Sequence, residues 1–281
     1  RRPVGSRGPR PRSRRVHGCG DTVDREFSPH GYGVEMKIAV VGKGGSGKTT
    51  TSAIIARTLA RQGRQTLALD CDTNPNLGIS LGLGEEVTER LLALREAVDA
   101  GEEEHAGTAE ELVRRFGVDA PDGVRLAVVS AIEHPEPGCP CCGVSPEQLL
   151  AQLSSDDGVV VADFEAGLGT VMRLDGRPVD IVVVVVEPTR KSLEVGRRAA
   201  DVIAEVNLGR LVLVANRVRD KHDVELVLAA FPGLQPVMVP EDQAIGDAER
   251  RGLAPLDAAP AAPAVMALKV LAEGLLAPLP G

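Results

Sequence analysis

Short apolar runs recur along the chain, separated by longer stretches in which apolar residues return every three or four positions. The runs fall at 37–41 (KIAVV), 66–69, 124–129, 159–162, 181–186 (IVVVVV), 211–214 and 236–239. Consecutive Val, Ile, Leu and Ala without polar alternation are what a strand covered on both faces requires. The intervening segments predict helices at 49–62, 86–98, 110–116, 146–153, 193–206 and 265–276. In the first of these, Ile54, Ile55, Leu59 and Ala60 line one side near the helical period. Strands alternating with helices predict a doubly wound α/β fold, a mostly parallel sheet with helices on both faces. No internal repeat and no compositional break divides 36–281, so one domain is expected there.

Residues 1–35 follow a different rule. The opening RRPVGSRGPRPRSRRVHGCG is rich in Arg, Pro and Gly, has no apolar period and lacks the apolar segment of a secretory signal. We expect a disordered or mis-translated basic extension over 1–35, with Met36 as the natural start; a basic nucleic-acid arm is the other reading of the same residues. His17 and Cys19 fall in it and receive no role.

Charge divides at the same place. Residues 1–35 carry 8 Arg and 4 acids, net +4, whereas the remaining 246 carry 24 basic and 36 acidic side chains, net −12. An acidic body opposes nonspecific binding to DNA or anionic membranes, so neither is expected as a partner. Aromatic residues make up 2% of the chain, which removes the platforms on which single-stranded nucleic acid stacks. Five Cys in 281 residues are too few for a disulfide framework and point to metal or redox chemistry. No run reaches the roughly 18 apolar residues of a membrane span. A soluble, cytoplasmic protein is expected.

The chemistry starts directly after the first strand. Gly42-Lys43-Gly44-Gly45-Ser46-Gly47-Lys48-Thr49 is a complete P-loop between a strand and a helix. Its glycines let backbone N–H groups approach phosphate, and the following helix turns its positive end toward the same anion. Lys48 is expected to neutralise the β- and γ-phosphates of ATP and the Thr49 hydroxyl to ligate Mg²⁺. Val159 to Ala162 lead into Asp163, an apolar strand ending in the acid that holds Mg²⁺ in such sites. Asp70-Cys71-Asp72-Thr73-Asn74-Pro75-Asn76 follows the second strand, so its carboxylates face the ligand crevice. A turn or helix N-cap aspartate is the other reading of Asp72. Cys71 reads as a small buried hydrophobe.

Gly138-Cys139-Pro140-Cys141-Cys142-Gly143 gathers three of the five cysteines. A C-x-C pair supplies two thiolates, while closed thiolate sites usually take four ligands. Two copies of the chain would supply them, so Cys139 and Cys141 point to a soft d-block ion such as Zn²⁺ shared across a twofold axis of a homodimer. A pair of reduced structural thiols fits the same spacing. His134 could join the ligands but reads better as a loop histidine; His105 and His222 receive no role.

The string KGGSGKTT, running through Thr50, resembles the deviant P-loop of the MinD/ParA/nitrogenase iron protein class of dimeric ATPases. That resemblance implies that Lys43 crosses the dimer to the partner's phosphates, a cation supplied in trans like an arginine finger. It implies that Asp72 orients the attacking water near Mg²⁺, that Gly167 senses the γ-phosphate, and that Asn216 reads the adenine beneath a loop formed by Pro240, Glu241 and Asp242. Together with the GCxC motif, Asp163-Phe164-Glu165-Ala166-Gly167 and the stretch 185–193 (VVEPTRKSL), the pattern resembles the carbon monoxide dehydrogenase accessory ATPases of the CooC type. Two features depart from that type: LGTVMRLDG after Gly167 lacks a histidine, and Cys142 is additional. The resemblance implies ATP hydrolysis coupled to nickel insertion into a client metalloenzyme. A partitioning or positioning ATPase is the alternative; an iron–sulfur electron donor would need two separated ligand cysteines per chain.

Overall fold

The computed structural model describes residues 36–99, 106, 108–129, 145–153, 158–174, 176 and 179–276. Its first half runs β1 (Met36–Gly42), α1 (Lys48–Arg61), β2 (Gln65–Cys71), α2 (Leu77–Leu81), α3 (Gly84–Asp99), α4 (Ala109–Phe116), β3 (Val118–Asp119), a 3₁₀ turn (Pro121–Gly123), β4 (Val124–Val128), α5 (Pro146–Gln152) and β5 (Gly158–Phe164). The second half continues with α6 (Leu168–Arg173), β6 (Ile181–Val186), α7 (Arg190–Val206), β7 (Arg210–Val218), α8 (Lys221–Ala230), β8 (Val237–Pro240), α9 (Gln243–Arg250), α10 (Pro255–Ala258) and α11 (Pro263–Leu275).

The strands form one sheet in the order β3-β4-β2-β5-β1-β6-β7-β8. Every pairing is parallel except the short β3 against β4. Side chains alternate across this sheet into two apolar layers. Ala39 and Val41 of β1 join Val182, Val184 and Val186 of β6 on the face covered by α4 to α8. Ile38 and Val40 join Ile181, Val183 and Val185 on the face covered by α1, α2, α10 and α11. This is why IVVVVV shows no polar alternation: both of its faces lie under helices, and all six residues are buried. The chain leaves β1 toward β2 on one side and crosses from β5 to β6 on the other. The C-terminal edge of β1 is therefore a topological switch point, where ligands bind in such sheets.

All seven predicted strands and all six predicted helices are present, and the differences have local causes. β7 extends to Val218, four residues past the apolar run, because Asn216 and Arg217 sit in a bulge that carries polar side chains into the strand. α7 begins at Arg190 rather than residue 193: its first turn is polar, capped by Thr189, whose hydroxyl accepts from the Ser192 N–H. α8 was not expected, since Leu226 and Leu228 are exposed and blur its apolar face. α2, α6 and α10 have six residues or fewer, too short for a period to register, and α9 fully buries only Ala248. No described helix is long and apolar enough to cross a membrane.

Candidate functional site

β1 ends at Gly42 and α1 starts at Lys48, so the glycine-rich loop lies at the switch point. A Cβ on Gly42 would stand 2.3 Å from the Val185 carbonyl oxygen of the neighbouring strand. At Gly47 (φ 96°) it would stand 2.2 Å from the Asn216 side-chain amide. Both positions therefore exclude a side chain for steric reasons as well as conformational ones. Gly47 caps α1 without a side-chain acceptor, and the first turn of α1 contains no acid. Its N–H groups and the positive end of the helix are left for an external anion. The Ser46 hydroxyl is buried inside this loop without a hydrogen-bond partner among the described residues. Lys48 is buried, while Lys43 is half-buried and its ammonium, among the described residues, donates to the Gly44 carbonyl at 3.3 Å.

Two acids meet under the loop. Asp70 on β2 and Asp163 on β5 are register partners, each only 1% exposed. Asp163 accepts a hydrogen bond from the Ser52 hydroxyl at 3.0 Å. Burial pushes its carboxyl up to about 6, against the opposing pull of the Thr49 hydroxyl, Lys48 and Ser52. Asp70 is pushed up further, to about 8, by burial and then by the charge of Asp163. Its two oxygens accept from the Leu77 N–H at 2.8 Å and the Asp72 N–H at 3.4 Å. Asp70 thus pins both ends of the 70–77 loop, a positioning task that reading the sequence had not given it. Asp72 is partly exposed at the loop's surface, and its carboxylate accepts from the Asn74 N–H at 2.9 Å.

The loop after β5 closes against these elements. The Gly167 N–H (φ 124°) donates to the Gly42 carbonyl at 3.3 Å, joining it to the P-loop directly. The Thr73 hydroxyl donates to the Glu165 carboxylate at 3.3 Å, so the loops following β2 and β5 touch.

A cleft of about 590 Å³ opens on the other side of Gly47, lined among others by Thr50, Asn216, Pro240, Glu241, Asp242 and Leu268. The Asn216 amide donates to the Ser46 carbonyl at 2.8 Å. Its neighbour Arg217, held at φ 58°, donates to the Gly45 carbonyl at 3.1 Å and to Glu187 at 2.5 Å. Asp242 caps α9 by accepting from the Ala244 N–H at 3.0 Å, and Glu241 donates its backbone N–H to Val218 at 2.9 Å. The Thr50 hydroxyl donates to Glu249 of α9 at 2.8 Å, tying P-loop helix and cleft wall together. Neither Arg217 nor Glu249 was singled out in the sequence, because their partners lie 30 to 199 positions away.

The structure therefore brings together Gly42 to Thr50, Asp72, Asp163 and Gly167 at one end of the crevice and Asn216 with Pro240 to Asp242 at the other. Cys139, Cys141, Cys142 and His134 fall in the connection between Val129 and Ser145 and lie outside the described residues. Among the described residues no group of three or more His, Cys, Asp or Glu could hold a metal ion. Cys71 is buried, as expected, and its thiol is pushed well up by burial and by the charges of Asp70, Asp163 and Glu147.

Comparison with known proteins agrees with this fold. The chain is 29% identical over 245 residues to the carbon monoxide dehydrogenase accessory protein CooC of Rhodospirillum rubrum, covering 80% of this chain and 91% of that protein. It is 30% identical over 232 residues to an uncharacterized ATP-binding protein of Methanocaldococcus jannaschii, covering 77% of this chain and 90% of the relative. The septum site-determining protein MinD of Pyrococcus horikoshii, solved with Mg-ADP, shares the fold with a TM-score of 0.61 at 20% identity, over 86% of this chain and 96% of that one. A ParA family ATPase of Chlorobium tepidum does so with a TM-score of 0.62 at 18% identity, over 86% and 99%. Residues 37–256 match the family described as the CobQ/CobB/MinD/ParA nucleotide binding domain. The chain belongs to that family.

Proposed function

We propose that this ATPase works as a homodimer that couples ATP binding and hydrolysis to delivery of a transition metal, nickel first, into a client metalloenzyme resembling carbon monoxide dehydrogenase. The protein hydrolyses ATP to ADP and phosphate. The observation that carries the reading is one crevice with a glycine cradle and buried acids at one end and an amide-lined cleft at the other. The metal part rests on the C-x-C motif and on the similarity to the Rhodospirillum rubrum accessory protein.

In this reading Gly42, Lys43, Gly44, Gly45, Ser46, Gly47, Lys48, Thr49 and Thr50 surround the phosphates with N–H, hydroxyl and ammonium donors. The Ser46 hydroxyl, buried without a partner among the described residues, gains an acceptor when a phosphate oxygen arrives. The donor set of the Thr49 hydroxyl, Asp163 and Asp72 consists of hard oxygens, which suits Mg²⁺. When bound, Mg²⁺ supplies charge neutralisation to the triphosphate. Asp72 orients the water that attacks the γ-phosphorus as the bond to the ADP oxygen breaks. Lys43, with no carboxylate partner among the described residues, reaches the partner subunit's nucleotide. Gly167 reports the γ-phosphate to the β5 loop, and Asn216, Pro240, Glu241 and Asp242 hold the base. Cys139 and Cys141 of two chains hold Ni²⁺ or Zn²⁺ as cargo, in the cytoplasm, and the ATPase domain is residues 36–281.

The test is size-exclusion chromatography with metal analysis on apo, ADP and ATP forms. We expect an ATP-dependent dimer carrying about one metal per two chains, with the metal lost in Cys139→Ser/Cys141→Ser. An unchanged metal content in that double variant would overturn the cysteine assignment.

A further inference from the structure

α5 is the described element that follows the cysteine motif, and it is anchored in an unusual way. Its start is fixed by a capping box: the Ser145 hydroxyl accepts from the Gln148 N–H, and the Gln148 side chain accepts from the Ser145 N–H. The second residue of the helix, Glu147, is a carboxylate 1% exposed to solvent. One oxygen accepts from Arg173 Nε at 2.7 Å; the other has no partner among the described residues. Arg173 is the last residue of α6, the helix that starts directly after Gly167. Its guanidinium also donates to the Thr170 hydroxyl at 3.2 Å, which donates to the Glu165 carbonyl at 3.3 Å. The far end of α5 is tied elsewhere: Lys37 of β1 donates to the Ala151 carbonyl at 3.5 Å.

An unbroken path therefore leads from the Gly42 carbonyl through Gly167 and α6 to Arg173, and from there to Glu147. The pair is asymmetric. The Arg173 side chain is 55% exposed and can be rehydrated if α6 moves, but Glu147 is buried and loses the one cation it pairs with among the described residues. A buried carboxylate stripped of its partner is strongly disfavoured, so α5 must follow α6 or rearrange. Neither residue lines the cleft beside Gly47, so a contact with that cleft does not account for them.

We propose that the Glu147–Arg173 ion pair is a positioning couple that makes the placement of α5 follow the nucleotide state sensed at Gly167. On the reading of the cysteine motif given above, the consequence is that metal affinity follows the same state.

Hydrogen exchange of the α5 amides tests the coupling without any metal, using the full chain loaded with Mg-ADP or with a Mg-bound non-hydrolysable ATP analogue. Exchange across 145–153 is expected to differ about tenfold between the two states, within the usual range of coupling between sites. In Arg173→Gln the difference collapses to about twofold or less while both nucleotides still bind, and Arg173→Lys restores part of it. Glu147→Gln, which buries an amide instead of a charge, gives the same collapse if Arg173→Gln folds poorly. Equal exchange in the two states of the parent, or an unchanged difference in these variants, overturns the proposal. A separate titration with Ni²⁺ alone distinguishes the two readings: if no form binds nickel yet α5 exchange still follows the nucleotide, the coupling stands and the metal assignment falls.

Discussion

The side-chain amide of Asn216 donates to the carbonyl of Ser46 at 2.8 Å, so the bulged end of β7 and the glycine-rich loop hold one another in register. The same amide stands where any side chain on Gly47 would have to go. One asparagine thus fixes the loop's backbone and forms a wall of the adjoining cleft.

Asn216→Ala removes the donor and leaves the Ser46 carbonyl unpaired in a half-closed site. A lost hydrogen bond of this kind costs about 1 kcal/mol, which predicts a roughly fivefold to tenfold rise in the ADP dissociation constant by calorimetry. Asn216→Asp should be worse than the alanine variant, because it sets a carboxylate against a carbonyl oxygen. Equal affinities for parent and both variants would remove Asn216 from the site.

Lys43 is expected to act on the nucleotide of the other subunit, and mixing experiments separate that from a role within its own loop. Lys43→Gln should leave ADP binding by the isolated chain nearly unchanged and lower turnover by about 10³-fold, the scale of a cation supplied in trans. Asp72→Asn should also be inactive. In a mixture of the two variants, one composite site regains both an intact Lys43 and an intact Asp72. Phosphate release should then return to a sizeable fraction of the parent rate. A mixture as inactive as its components would place Lys43 in cis.

Asp70 and Asp163 set a pH dependence on the protein without Mg²⁺ or nucleotide. Their folded carboxyls titrate at about 8 and about 6, well above the ordinary carboxylate range near 4. Between those limits the folded chain binds more protons than the unfolded one, so stability must fall as pH rises. The contribution is complete at pH 4 and is lost through pH 6 and then pH 8. Thermal unfolding should give a lower midpoint at pH 8 than at pH 5.5. Asp70→Asn keeps an oxygen for the Leu77 N–H and removes the charge beside Asp163, so its midpoint should fall less over the same interval. A midpoint that rises with pH would contradict this account.

The parts of the site that can be read without coordinates are those written in adjacent residues. Gly42 to Thr49 declare a phosphate loop because the chemistry needs them consecutively, and IVVVVV declares a strand buried on both faces. The strand ends carrying Asp163 and Asn216 are legible only once that loop supplies a context. What stays hidden depends on pairings across the sheet or between distant helices. The restraint of the 70–77 loop by Asp70 requires knowing that β2 lies beside β5. Glu147 and Arg173 meet across 26 positions, and Thr50 meets Glu249 across 199. No local period encodes such contacts.

Arg57 supplies a last case, where structure alone assigns a residue from the middle of α1. Its side chain is 3% exposed and forks onto two acids: Nε donates to Asp122 at 2.7 Å, and the two terminal nitrogens donate to Asp257 at 2.6 and 2.9 Å. The helix that follows the phosphate loop is thereby bolted to the turn before β4 and to α10. Arg57→Ala removes a buried side chain and opens a void, while Asp122 keeps Arg61 Nε at 2.9 Å, and should cost about 2 kcal/mol in urea unfolding. Asp257→Asn should cost about 1 kcal/mol or less, because that carboxylate is 50% exposed and its pairing is screened by water. Arg57→Lys cannot form the fork and should fall between them. None of the three residues lines the nucleotide cleft, so ADP affinity of the folded variants should stay within about twofold of the parent. A fall in affinity as large as the fall in stability would mean that the fork sets the loop's geometry as well as the helix's anchorage.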